Sequence, residues 1–139
     1  MAANQNPIFS RVGDVQWNTT DILASNATTD LTTGTSYLVF TADATNGGYV
    51  QKLRFRALGS NVATVARVWI NNGAVTTTAS NNVLWDEISL AISVASTTTA
   101  LAVYELPLNI ALPPAYRLYI TLGTTVVAGY DCITIAGKY

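Results

Sequence analysis

The chain has 139 residues, half of them hydrophobic and 11% charged, with seven cations against eight carboxylates and a net charge of −1. That length suits one domain able to bury about two thirds of its unfolded surface without staples, and the weak charge gives no basis for general attraction to nucleic acid or anionic lipid. Histidine is absent, which removes the usual base of serine and cysteine hydrolases and a principal zinc ligand.

The first seven residues lack the basic start and apolar core of a secretory signal, and no apolar run nears the ~18 residues of a membrane helix, so the chain is expected to be made and kept soluble. Residues 1–14 read as an extended N-terminal arm on a single β-sandwich domain spanning 1–139. The composition of Ala2 to Phe9 suits a strap that orders on a partner. A first strand is expected near 15–21, and Asn18 to Gly34, mostly Thr, Asn, Asp and Ala around Ile22, Leu23 and Leu31, reads as an extended edge strand plus a long loop. The glycosylation-type triplets at Asn18 and Asn26 are chance matches in a chain this rich in Asn and Thr.

Further strands are expected near 36–42, 49–58, 64–71, 84–94, 101–110, 116–122 and 130–136, because apolar residues recur there at the strand period of two. Leu53, Phe55 and Ala57 should face the core while Lys52, Arg54 and Arg56 face away. Ala66, Val68 and Ile70 are set in the same way against Val65, Arg67 and Trp69. Residues 88–94 alternate Ile88, Leu90, Ile92 and Val94, and residues 117–122 set Leu118, Ile120 and Leu122 against Arg117, Tyr119 and Thr121. Asn46-Gly47-Gly48, Leu58-Gly59-Ser60-Asn61, Asn71-Asn72-Gly73 and Gly123-Thr124-Thr125 are turn signals. Residues 74–82 have one large side chain, Val75, and read as an exposed contact loop. Pro107 predicts an interruption or a sheet edge, Pro113-Pro114 a connection, and the lone Cys132 a buried core thiol. Eight such strands predict an all-β, two-sheet antiparallel sandwich, first a jelly roll and second an immunoglobulin-like sandwich without its cysteine pair.

No catalytic, cofactor-binding or metal-ligating set emerges, and no cofactor is expected. The adjacent carboxylates Asp86 and Glu87 would point to opposite faces of their strand, whereas glycoside hydrolysis needs two that face each other. None of the glycines opens a helix as a phosphate loop would. The chain is therefore expected not to be an enzyme. One constellation remains: Lys52, Arg54, Arg56, Arg67 and Arg117, with Trp69, Trp85 and Tyr119, on faces turned from the core. It reads either as a solvated face shielded by Asp86 or Glu87, or as a partner-binding face, since Arg, Trp and Tyr dominate interface hot spots. Ile8 and Phe9 of the arm complete the candidate contact set.

The stretches YVQKLRFRALGSNVATVARVWINNG (49–73), LPPAYRLYITLGTT (112–125) and IAGKY (135–139) resemble small virion proteins of tailed bacteriophages. In particular they are similar to the cement or decoration proteins bound outside HK97-fold capsids, some of which are jelly rolls. The resemblance covers roughly residues 49–139. It implies a protein made in the host bacterial cytoplasm and located on the virion exterior, where it bridges capsomers of the major capsid protein and sits beside other copies of itself. No specific nucleic acid and no membrane partner is implied. The alternative is a carbohydrate- or receptor-binding module of a phage tail or fibre, with Trp69, Trp85 and Tyr119 stacking sugars.

Overall fold

The period-two alternation is realised as a ladder almost everywhere it occurs. The computed structural model describes residues 10–139. Its strands are β1 (Val12–Gly13), β2 (Gln16–Trp17), β3 (Tyr37–Thr41), β4 (Gly48–Ala57), β5 (Thr64–Asn71), β6 (Asn82–Leu90), β7 (Val103–Leu112), β8 (Arg117–Leu122) and β9 (Tyr130–Lys138), with one 3₁₀ turn at Ala79–Asn81. The first sheet runs β1-β9-β4-β7 with β2 also on β9, and the second runs β3-β8-β5-β6. Every strand pair is antiparallel.

The short strands β1 and β2 pair with the same neighbour, so they form one interrupted edge strand and the sandwich has eight strand positions. Apart from the β5–β6 hairpin, every connection from β2 onward crosses between sheets. That is the jelly-roll arrangement, and the immunoglobulin-like alternative falls away.

The inner faces interdigitate as the alternation requires. Leu53 and Phe55 of β4 meet Ala66 and Val68 of β5, Leu118 and Ile120 of β8, and Phe40 of β3 in one buried cluster. Cys132 belongs to that cluster, and burial pushes its thiol pKa far up, so it is an inert core residue. Gln16 closes one open side of the sandwich: its Nε2 donates to Thr41 O at 2.9 Å while its Oε1 accepts from Thr41 N at 2.9 Å.

Some expectations are corrected. The strand expected near 84–94 ends at Leu90, because its partner β5 starts opposite at Thr64. Only an isolated bridge, Asn61 to Ser93, carries the pairing further, and Ile92 and Val94 stand exposed. Alternation outlasts the ladder there. Of the expected arm, residues 10–14 lie on the sheet, with Arg11 N donating to Lys138 O at 2.8 Å and Asp14 N to Ala136 O at 2.9 Å. Ala2 to Phe9, including Ile8 and Phe9, fall outside the described residues. Pro107 meets both of its expected conditions: β7 is an edge strand, and its register against β4 slips between Ile110 and Pro107.

Candidate interaction surfaces

Directly opposed residues in an antiparallel ladder point to the same side. The register therefore assigns each candidate side chain to a face. On the outer face of the first sheet, Trp17 lies opposite Ile133, Ile133 opposite Arg54, and Arg54 opposite Glu105. The next row sets Ile135 beside Lys52. Glu105 pairs with Lys52 Nζ at 3.0 Å and with Arg54 Nη1 at 4.0 Å, while Arg56 donates to Leu101 O at 3.3 Å. Trp17 is 61% exposed. Among the described residues no connection crosses this face, which carries the exposed Trp17 beside Ile133 and Arg54 and, beyond Ile135, a hollow of about 510 Å³ that Tyr49, Gln51 and Asn109 also line.

Arg67, Trp69, Arg117 and Tyr119 lie on the outer face of the second sheet, on the opposite side of the sandwich. The single constellation read from sequence is thus two faces looking in opposite directions. Trp69 faces outward from its sheet as expected, yet it is only 2% exposed. Residues 25–30 lie over this face, joined to it by the Ser25 to Leu122 bridge and by Asn82 Nδ2 to Asp30 O, so Trp69 is not available as a contact or as a sugar platform. Ala27, Thr28 and Thr29 share with Arg67, Trp69 and Leu84 a shallow hollow of about 360 Å³. The Trp69 indole N–H donates to Thr121 Oγ1 at 2.9 Å.

Asparagines whose role sequence reading missed hold the 18–36 segment: Asn26 and Asn82 fix the part over the second sheet, and Asn18 fixes its start to β9 of the first. Asn26 is buried; its Nδ2 donates to Thr33 O at 2.9 Å and Thr35 O at 3.0 Å, and its Oδ1 accepts from Thr28 N at 2.9 Å. The side-chain amide thereby closes the 26–35 turn. Asn82 Nδ2 donates to Asp30 O at 3.0 Å and ties the turn to β6. Asn18 Nδ2 donates to Thr20 O while its Oδ1 accepts from Cys132 N at 2.7 Å. Both triplet asparagines are therefore interior parts of the fold. Their signal in the sequence was a long polar segment punctuated by Ile22 and Leu31, both of which are buried.

Trp85 sits at an irregularity of β6, where Val68 is opposite Asp86 and Trp69 opposite Leu84. Trp85 is the extra residue, exposed on an edge strand. Trp69, Trp85 and Tyr119 do not share an exposed platform. Arg67 Nε pairs with Glu87 at 2.8 Å, the shielding expected of a solvated face.

At one end of the sandwich three connections are knitted together by Asn61. Its backbone exchanges N–H···O bonds with Ser93, its Nδ2 donates to Gly129 O at 3.0 Å, and its Oδ1 accepts from Ala128 N and Gly129 N, each at 2.9 Å. Thr64 Oγ1 donates to Thr124 O at 3.1 Å and accepts from Thr124 N at 3.0 Å. Among the described residues no group of three or more Cys, Asp or Glu is placed to hold a metal ion, and no helix is long and apolar enough to cross a membrane. Compared with known proteins, the chain matches no family model and no curated protein.

Proposed function

We propose that this protein is a non-enzymatic structural component of a tailed-phage virion, a decoration protein that binds the outside of the capsid lattice through the outer face of its first sheet. The observation that carries the choice of face is the uncovered row Trp17, Ile133, Arg54. An aromatic anchor beside an aliphatic and a guanidinium is the composition of an interface hot spot. The phage assignment itself rests on the resemblance of residues 49–73, 112–125 and 135–139.

The mechanism is differential binding. A protein that binds the mature, expanded lattice and not the unexpanded one lowers the free energy of the mature state, by about 2.7 kcal/mol per site at a hundredfold excess over Kd. A second contact made from an already bound copy gains from high effective concentration, so two modest contacts bridge neighbouring capsomers.

The test is co-sedimentation of the purified protein with mature capsids and with unexpanded procapsids of its source phage, followed by cryo-electron microscopy. Regular density on the mature shell, with the first sheet against it, is the expected result. Density confined to the tail, or binding to free glycans, would replace this reading with the adhesion module.

A further inference from the structure

Among the described residues, β6 alone carries three consecutive large apolar side chains in the open: Val83 at 55%, Leu84 at 42% and Trp85 at 46% exposure. It is the last strand of its sheet, so no strand pairs with its outer side. Together the three leave on the order of 300 Å² of apolar surface uncovered, the size of the largest patch a monomer usually exposes. One end of the run is held in shape by asparagines. Asn81 Nδ2 donates to Val75 O at 2.9 Å and Asn82 Nδ2 to Thr76 O at 2.8 Å, which folds the 74–81 loop, with its exposed Val75, against the start of the strand. The other end is unsuited to strand addition. Trp85 is a bulge, and the Asp86 carboxylate accepts from Glu87 N at 2.8 Å. A partner is therefore met by side chains and not by a continued ladder.

Charge selects that partner. From residue 68 to residue 116 the sequence has no Lys or Arg, and Asp86 and Glu87 directly follow the apolar run. At its other end Asn82 Nδ2 donates to Asp30 O at 3.0 Å and brings a third acidic residue alongside. Arg67 offsets Glu87 at 2.8 Å, but among the described residues no cation pairs with Asp30 or Asp86. The first-sheet face has the reverse balance, with Lys52, Arg54 and Arg56 against Glu105 and Asp131. We propose that the β6 edge is a second docking surface, for a protein segment that sets Lys or Arg beside apolar side chains. The apolar residues of that segment cover Val83, Leu84 and the Trp85 anchor, and its cations meet Asp86 and Asp30, which fixes orientation and speeds encounter. Phosphate, nucleic acid and anionic lipid are repelled by the same carboxylates. The surface is separate from the Trp17–Arg54 face and does not rest on the proposed capsid role.

The probe is an amphipathic Leu/Lys peptide of about 18 residues, roughly five helical turns, compared with the same peptide carrying Glu in place of Lys. Each is titrated into the full chain and followed by calorimetry and tryptophan emission. The Lys peptide should bind with a Kd of about 1 to 100 μM and shift the emission to the blue, and molar salt should weaken it several-fold. The Glu peptide should not bind. Asp86→Lys and Trp85→Ser should each weaken binding at least tenfold, the second also removing the emission shift, while Trp17→Ser should bind as the parent does. Hydrogen exchange of the parent with the Lys peptide bound should slow in 82–88 and not in β4 or β9, a readout that needs no variant. Failure of the Lys peptide to bind, equal binding of the Glu peptide, or protection that appears on β4 and β9 instead would overturn the proposal.

Discussion

The two outer faces of the sandwich come from strands with the same alternation of apolar and polar residues, and they meet opposite fates. On β4 the outward Arg54 stays at the surface, beside Ile133 and the exposed Trp17. On β5 the outward Trp69 is buried as completely as a core residue. The cause is not in either strand. Residues 25–30 run across the second sheet and are fixed there by Asn26, Asn82 and the Ser25 to Leu122 bridge, whereas nothing among the described residues crosses the outer face of the first. A side chain that points away from the core is exposed only if no connection passes over it.

The sharpest way to break this comparison is Trp69→Ala. If the covered face is a second packed layer, the variant loses about 3–5 kcal/mol of stability in chemical denaturation, the usual cost of truncating a buried Trp. A variant as stable as the parent would mean that the cover does not pack and that the two faces are alike. Next is Asn26→Ala, which leaves Thr28 N, Thr33 O and Thr35 O without their partner and should cost about 2–3 kcal/mol. Hydrogen exchange should then speed up in 26–35 while β4 and β9 stay protected, and uniform loss of protection would show that the cover is not a separate layer.

Trp17→Ala probes the open face and should change stability by no more than about 0.5 kcal/mol. Its effect belongs in capsid binding, where an aromatic anchor is worth about 2 kcal/mol, or roughly thirtyfold in Kd. Arg54→Glu should act in the same direction, and loss of folding in either variant would place these residues in the core. The smallest effect concerns Asp43, in the turn between β3 and β4. Its carboxylate accepts from Thr45 N at 3.0 Å and Asn46 N at 2.8 Å, which holds its pKa below the ordinary 3.8. A depressed folded pKa gives stability that is present above 3.8 and is lost as the pH falls below it. Asp43→Asn should therefore narrow the drop in thermal midpoint between about pH 6 and pH 3, and an unchanged drop would locate the acid sensitivity elsewhere.

Much of the fold was legible because strand alternation and turn chemistry are local. Leu53 and Phe55 against Arg54 and Arg56, Gly47 and Gly73 at positive φ in their turns, and Pro107 on an edge strand all follow from a few neighbouring residues. The candidate contact set was less legible. Arg54 and Arg56 belong to one sheet and Arg67 and Arg117 to the other, a division that depends on which strands pair across the whole chain. Trp17 was not singled out, since its place beside Ile133 is a register between positions at opposite ends of the sequence.

What the sequence by itself determined is the all-β class, the place of most strands and the inward side of β4, β5 and β8, because a period of two is read from adjacent residues. Tertiary structure alone decided that Trp69 is covered and Trp17 is not, and that Asn61 gathers three loops. Those outcomes depend on where the connections pass once the sheets have closed, and long-range loop paths leave no periodic mark in the chain.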